Sequence, residues 1–445
     1  MRMNLPAPVN RVIHTLQGAG YDAYAVGGCV RDTLLGREPG DWDITTSAAP
    51  EVVKSLFPHT IDTGIQHGTV TVMLEHVGYE VTTYRIDGEY EDCRHPSGVT
   101  FTDNLLEDLK RRDFTINAMA YNDDRGLVDA FDGAGDLARG RIRCVGEAKA
   151  RFSEDALRML RAVRFAAQLD FSIEEETAEA VRELAPSIGR VSAERIRMEL
   201  IKLLVSEHPD ALRTAWELGL TAVFLPEFDR MMDTPQHTKH HCYSVGEHTL
   251  HTLSHVPADR VLRLAMLLHD VAKPVCISED EEGEHFYGHP QLGADMAKDI
   301  LRRLKLDNDC IRRVCGLIRW HDERPPLTER SVRRFVSKVG PENVPELLAV
   351  KRADILGQSM YRRQEKLEYV GQLEQLYVRM QKQNQCLKKS ELAVNGRDLM
   401  AIGIAPGPGL GEVLDKLFSQ VLDDPALNTR EKLLALAHNF ANPSI

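Results

Sequence analysis

The stretch Tyr21-Asp22-Ala23-Tyr24-Ala25-Val26-Gly27-Gly28-Cys29-Val30-Arg31-Asp32, with Asp41-Trp42-Asp43-Ile44 after it, decides the fold of this chain. Tyr21 to Val26 reads as a short strand running into a glycine pair. The glycines permit a tight turn and let backbone N–H groups approach a triphosphate closely. Arg31 stands one turn into the helix that follows, beside the same anion. Further on, Asp41 and Asp43 alternate with Trp42 and Ile44. Strand side chains have period two, so both aspartates project from one face while Trp42 and Ile44 point into a core. Two carboxylates on one strand face suit a pair of Mg²⁺ ions about 3.5–4 Å apart, the arrangement that drives in-line phosphoryl or nucleotidyl transfer. A lone Asp-x-Asp is more often a solvated strand end. The glycine turn and arginine just upstream reverse that reading.

Composition bounds what this chemistry is attached to. At roughly 150 residues per domain, 445 residues make about three domains. With 43% hydrophobic and 27% charged residues, the chain is an ordinary globular one. No segment approaches the ~18 apolar residues of a membrane helix, and the N-terminus lacks an apolar signal core. The eight cysteines are scattered with no CxxC pair, which fits reduced thiols in a cytoplasm and argues against zinc or a disulfide frame. A net charge of −12 excludes a broadly basic surface, so any RNA contact comes from local basic stripes.

The patterning shifts near residue 150. Before it, Thr69 to Leu74 and Tyr79 to Arg85 alternate as strands. After it, almost every segment carries helical periodicity, broken by Leu225-Pro226, Pro325-Pro326 and Pro406-Gly407-Pro408-Gly409. No internal repeat is present. The expected fold is a compact α+β head followed by a long helical body.

Three further stretches sharpen the chemistry. Arg111-Arg112-Asp113-Phe114-Thr115-Ile116-Asn117-Ala118 places paired arginines at the expected start of a helix, suited to bidentate bonds with a triphosphate. Arg85 to Phe101 reads as a long loop between strand and helix. In Glu154 to Phe165, Asp155, Arg158 and Arg161 share one helix face, and Leu157, Leu160 and Val163 form an apolar ridge. A salt-bridged solvent face competes with a functional reading there. An Asp acceptor beside Arg donors matches the Watson–Crick edges of cytosine and adenine, and mismatches uracil and guanine.

The motifs GGCVRDTLLG, DWDITTSA, RRDFTINAMAY, EDALRMLRAVRF and ERIRMEL, in this order, resemble the class II bacterial CCA-adding tRNA nucleotidyltransferases. LAVNGRDLMAIGIAPGPGLGEVLDKL and DDPALNTREKLL extend the resemblance to the end of the chain. It implies a small mixed β-sheet head of the polymerase β-like kind (1–145). An all-α neck (146–225), an HD body (226–385) and a helical, tRNA-binding tail (386–445) would follow. It also implies that Asp41 and Asp43 hold catalytic Mg²⁺, and that Gly28, Arg31 and Arg112 hold the triphosphate. Asp155, Arg158, Arg161 and Arg164 would form the nucleotide-reading pocket. Glu80, on a neighbouring strand, is a candidate third carboxylate. The implied reaction is attack of the tRNA 3′-hydroxyl on CTP and then ATP, with release of pyrophosphate, in the cytoplasm. Contact with the acceptor and T arm of tRNA would position the 3′ end.

Poly(A) polymerases and enzymes that add only CC or only A resemble the same head motifs. The full 85–101 segment, with Tyr90, Asp92, Arg94 and Pro96, resembles the loop that CCA- and A-adding members keep. No basic C-terminal extension of the poly(A) polymerase kind is present. Both points favour complete CCA addition, and A-only addition stays open. Two further rivals are an HD hydrolase whose head only binds RNA, and a non-catalytic RNA chaperone.

Nine of the seventeen histidines fall between 237 and 289. His269-Asp270 follows the apolar run Leu264 to Leu268, where a buried helix turns inward. With His248, His289, His321 and Asp354, the set resembles the HD-family metal-dependent phosphohydrolases. Among His248, His251 and His255, His248 is selected because EHT before an apolar residue resembles the motif. The resemblance implies a further divalent metal and phosphatase or cyclic phosphodiesterase activity on RNA ends. Lys388, Lys389, Arg397, Arg302, Arg303, Arg312 and Arg313 are the basic residues available for tRNA phosphates. Asn428 and Glu431 have capping-box spacing for the last helix.

Overall fold

Ala23–Val26 (β1) is buried at all four positions, as a strand covered on both faces must be. It lies inside a seven-stranded mixed sheet with Ile44–Thr46 (β2), Thr60–Gly64 (β3), Thr69–Leu74 (β4) and Val77–Thr83 (β5). Arg85–Asp87 (β6) and Val99–Phe101 (β7) form a separate hairpin, and Ala120–Asn122 (β8) and Gly126–Val128 (β9) complete the sheet in the order β3-β4-β5-β2-β1-β8-β9. The β2–β5 pair is parallel, with Ile44 opposite Val81; the other pairings are antiparallel. The computed structural model describes residues 2–88, 98–236, 242–280 and 283–441. It divides into two compact units, Met1–Pro226 and Glu227–Ile445.

Two expectations change at the head. β2 begins at Ile44, so Asp41 and Asp43 stand on the approach to the strand rather than within it. Val26 N–H still donates to the Asp43 carbonyl at 3.0 Å, which holds that approach beside β1. Ile44 is buried, whereas Trp42 is only half-buried and does not enter the core. The segment expected to be a loop between Arg85 and Phe101 pairs at its ends, Arg85 with Phe101 and Asp87 with Val99. Tyr90, Asp92, Arg94 and Pro96 lie outside the described residues.

Behind the sheet come the helices Ala148–Glu154, Leu157–Leu169, Glu175–Leu184 and Ala193–Leu204. Leu157, Leu160 and Val163 are buried as the ridge predicted, and their helix packs on Ala193–Leu204.

The second unit is helical, and among the described residues of the whole chain no helix is long and apolar enough to cross a membrane. Its C-terminal helices gather around Leu399, Leu417, Val421 and Leu433. Arg333 on Glu329–Val339 donates to the carbonyls of Leu422 and Asp423 at 2.8 and 3.1 Å, and Arg330 and Arg334 meet the Asp423 carboxylate at 2.7 Å. The last helix, Arg430–Ala441, is capped by Thr429, whose hydroxyl accepts from Lys432 N–H at 3.4 Å. Asn428 instead accepts from Ala393 N–H at 2.8 Å and donates to the Glu391 carbonyl at 3.1 Å, tying the tail to itself. Most of the basic residues expected to face RNA meet acids of this unit: Arg303 with Glu227, Arg312 with Asp309, Arg313 with Glu346, Lys388 with Glu342 and Lys389 with Asp415.

Candidate active site and metal-ligand cluster

Asp41 and Asp43 are exposed at the start of β2, and the parallel register places Glu80 beside Val81 on the neighbouring strand. Protein packed around Asp43 pushes its carboxyl above the usual range, and the Glu80 and Asp41 carboxylates push it further, against the Arg112 guanidinium. Negative charge gathered in this way fits a divalent cation.

The turn opposite is built for close approach. Gly27 has φ 80° and ψ −128°, a conformation L side chains rarely adopt. A Cβ there would come within 2.9 Å of Arg112 Nη1, and one on Gly28 within 3.7 Å of Arg31 Nη2. Arg31, on the helix Gly28–Leu34, donates to Asn117 Oδ1 at 2.7 Å and to Asp32 at 2.8 and 3.0 Å. Arg111 and Arg112 follow the end of the helix Leu105–Lys110, not the start of a helix as expected. Asp108, one turn back, explains the placement. It is fully buried, accepts from Arg111 at 2.9 and 2.7 Å and from Thr45 Oγ1 at 3.1 Å, and lies 3.6 Å from Arg112. Burial alone would raise its carboxyl; the Arg112 and Arg111 charges outweigh that and hold it below the usual range.

Two neck arginines and one from the head meet at one aromatic ring. Arg164, Arg31 and Arg161 lie over Phe165 at 3.7, 5.1 and 5.4 Å from its centroid. Arg161 donates twice to Asp113, at 2.9 and 2.6 Å, and Arg164 Nε lies 2.6 Å from Glu199. Burial pushes the Arg164 guanidinium down to about 10, against the Glu199 carboxylate, so it stays charged at neutral pH. Asp155 is not on the helix face with Arg158: it is the extended residue between Ala148–Glu154 and Leu157–Leu169, and accepts from Leu157 N–H at 3.1 Å. Its carboxylate takes both arms of Arg195 at 3.1 and 2.7 Å. Arg158 turns to Glu154 at 2.6 Å and to the carbonyls of Arg151 and Arg111, both at 3.2 Å.

Burial alone would raise the Asp113 carboxyl, but the Arg161 charge and its paired bonds, with Arg158 and Asn117, hold it well below the usual carboxylate range. A depressed folded pKa contributes stability above the unfolded value of about 4, lost as pH falls below it. Asp113→Asn is therefore expected to lower stability at pH 7 by about 3 kcal/mol. Urea melts from pH 7 to 3 should show the difference from wild type shrinking below pH 4. A constant difference would exclude this pair as its source.

In the second unit, helix ends converge on a buried centre. His248 sits on Val245–Leu253, His269 ends Arg260–Leu268, His289 opens His289–Arg303, His321 ends Asn308–Trp320, and Asp354 lies on Val344–Gly357. A Cβ on Gly357 would stand 2.4 Å from Thr252 Cγ2, so glycine lets its helix approach the one bearing His248. Among the described residues, His248, His269 and Asp354 form one group with metal-ligand spacing, and Asp270, His289 and His321 another. Asp270 joins them: Oδ1 is 3.5 Å from His289 Nε2 and 3.7 Å from His321 Nε2, while Oδ2 is 3.3 Å from His269 Nε2 and 3.7 Å from His248 Nε2. The Nδ1 atoms of His269, His289 and His321 bond the carbonyls of Met266, Phe286 and Ile318 at 2.7, 2.8 and 2.6 Å. A carbonyl only accepts, so each Nδ1 carries a proton and each Nε2 faces the centre, where a divalent metal would take its lone pair. This donor set fits divalent metal.

Three family models match the chain: the poly A polymerase head domain over residues 23–143, "Probable RNA and SrmB- binding site of polymerase A" over 170–232, and tRNA nucleotidyltransferase domain 2 over 289–437. A CCA-adding enzyme of Levilactobacillus brevis is 37% identical over 95% of both chains. The crystal structure of the Bacillus stearothermophilus CCA-adding enzyme in complex with CTP is 31% identical, covers 99% of both chains and superposes with a TM-score of 0.76. This chain belongs to the CCA-adding enzymes. A Thermotoga maritima CCA-adding enzyme complexed with tRNA, 22% identical with a TM-score of 0.58 over 97% of this chain and 95% of its own, shares the fold. Membership makes the chain a tRNA nucleotidyltransferase, and the family uses divalent metal.

Within this CCA-adding fold, Gly28, Arg31, Arg112, Arg161 and Arg164 come together around Gly27 and Phe165. Asp155 and Arg158 are turned to partners of their own. The residues that hold these arginines, Asp108, Asp113, Asn117, Arg195 and Glu199, were not singled out from the sequence. Of the last four, only Asn117 had a local signal: four residues after Asp113 in RRDFTINA, it donates to that carboxylate at 3.2 Å, whereas Arg195 and Glu199 meet residues of a distant segment.

Proposed function

We propose that this chain builds or repairs the 3′-terminal CCA of tRNA in the cytoplasm, taking nucleotides from CTP and ATP without a nucleic-acid template. The observation that carries this reading is the full-length match to a CTP-bound CCA-adding enzyme, on a chain whose Asp41 and Asp43 gather negative charge beside Arg112. Asp41 and Asp43, with Glu80 beside them, would hold Mg²⁺, which when bound supplies Lewis-acid stabilisation of the developing charge. Gly28, Arg31 and Arg112 hold the triphosphate, and the Asn117 and Asp108 contacts fix the two guanidiniums before it arrives. The tRNA 3′-oxygen forms a bond to the α-phosphorus, the bond to pyrophosphate breaks, and the hydroxyl proton passes to water. Arg161 and Arg164, fixed by Asp113, Glu199 and Phe165, line the base pocket, and Asp155 and Arg158 exchange Arg195 and Glu154 for the base edge. Of the four-part division at 145, 225 and 385, the boundary at 385 is supported by the tail's own apolar cluster and that at 225 by the two compact units.

Incubation with tRNAs ending before C74, after C74 and after C75, with CTP and ATP separately and together, tests the reading. Growth by C, C and A followed by a stop is expected. Addition of A alone, or an unbounded A ladder, would move the assignment to an A-adding or poly(A) enzyme.

A second reading rests on the buried cluster: His248, His269, Asp270, His289, His321 and Asp354 hold divalent metal in an HD-type phosphohydrolase centre. The inward Nε2 atoms and central Asp270 support it.

A further inference from the structure

Asn117 stands between the arginine assigned to the triphosphate and one assigned to the base. It is buried, its Oδ1 accepts from Arg31 Nη1 at 2.7 Å, and its Nδ2 donates to Asp113 Oδ1 at 3.2 Å. A guanidinium only donates and a carboxylate only accepts, so these two neighbours allow the amide one orientation. The other oxygen of Asp113 accepts from Arg161 Nε and Nη2 at 2.9 and 2.6 Å. A continuous chain of hydrogen bonds therefore runs from Arg31 through Asn117 and Asp113 to Arg161.

The circuit closes on Phe165. Its ring is buried, and the Arg31 and Arg161 guanidinium carbons lie over it at 5.1 and 5.4 Å from the centroid. Phe114, next to Asp113 in the chain, meets this ring edge to face with centroids 5.7 Å apart, which holds it in place. Arg164 crowds the same ring at 3.7 Å. Burial presses the Arg164 guanidinium down, Glu199 opposes, and the Arg161 charge presses it further, so the cations gathered here repel one another. An anion that neutralises Arg31 is felt at Arg161 by two routes, the hydrogen-bond chain and the shared ring face.

We propose that Asn117 and Phe165 are positioning residues that couple the triphosphate site to the base pocket, so that seating the triphosphate on Arg31 sets Arg161 for base selection. The coupling rests on the base-pocket reading of Arg161 and Arg164 and names how that pocket is made selective. Both residues act through the arginines they hold. A nucleotide whose triphosphate is badly seated then meets a base pocket that discriminates poorly.

The test is the ratio of kcat/KM for CTP to that for UTP on tRNA ending before C74, with thermal melts on the same samples. Arg31→Lys keeps the charge and loses the planar fork that reaches both Asn117 and the ring. It is expected to lower the CTP-to-UTP ratio about tenfold, as is Asn117→Leu, which keeps the size and removes both hydrogen bonds. Because the two substitutions break one link, the double variant is expected to lose no more selectivity than either single variant. Replacing Phe165 by a ring-trifluorinated phenylalanine keeps the shape and weakens the negative ring face, and is expected to lower the ratio by about the same factor. A merely structural role would reduce CTP and UTP incorporation alike and leave the ratio at its wild-type value. Equal losses for both nucleotides in Arg31→Lys overturn the coupling. Losses that multiply in the double variant overturn Asn117 as the link, and a wild-type ratio with the fluorinated ring overturns the part of Phe165. Equal use of CTP and UTP by the wild type overturns the base pocket itself and the coupling with it.

Discussion

Asp43→Ala is expected to lower incorporation of both C and A by about 10³-fold or more, with tRNA affinity within about threefold of wild type. The rate loss corresponds to about 4 kcal/mol of transition-state stabilisation. The carboxylate is crowded by protein and by the Asp41 and Glu80 charges, with Arg112 in opposition. Such a group contributes by holding positive charge where pyrophosphate develops negative charge, a contribution made only during reaction. Asp43→Asn keeps the shape and removes the charge, so it should lose nearly as much as Asp43→Ala. tRNA binding depends on phosphate contacts and shape, to which one head carboxylate adds little. Single-turnover incorporation of labelled CTP and ATP, with filter binding of tRNA, separates the two. Retention of more than about a tenth of wild-type rate would remove Asp43 from the reaction.

The arginines of the head and neck are prepared by neighbours, and this is where reading from sequence ran short. The period-two alternation located β4 and the glycine turn located β1 and its helix, because those patterns are local. Arg111 and Arg112 looked like the start of a helix, since paired cations before an apolar run suit either end. The buried Asp108 places them after a last turn, where cations also suit the helix dipole. Asp155 looked like one face with Arg158 because i, i+3 spacing presumes an unbroken helix. The break at Asp155 comes from a distant residue, Arg195, which spacing along one segment does not reveal. Asn428 failed for a similar reason: its side chain is taken by Glu391 and Ala393, and Thr429 caps instead. The six-residue cluster was legible in residue type and order. Its central feature, one carboxylate serving both groups, needed coordinates.

Asp270→Asn is expected to abolish metal binding in the second unit and to cut phosphate-ester hydrolysis by about 10²-fold or more, with CCA addition unchanged. Asp270 alone among the six faces histidines with both oxygens, His289 and His321 through Oδ1 and His248 and His269 through Oδ2. An amide keeps the size, loses the charge and would turn N–H donors toward a bound metal. The same substitution also strands Lys273, whose Nζ lies 2.7 Å from Asp270 Oδ2 and 3.0 Å from Gln236 Oε1 in buried surroundings. Leaving that ammonium unpaired costs about 3–5 kcal/mol, so instability alone can mimic loss of a metal centre. Asp270→Asn combined with Lys273→Met removes the stranded charge and is expected to recover most of the lost thermal stability without recovering metal. Metal analysis, thermal melts and a hydrolysis assay on wild type, the single variant and the double variant decide the matter. Recovery of metal in the double variant would make Asp270 a structural partner of Lys273. Stability regained with the centre still empty would make it the ligand that both halves of the cluster share.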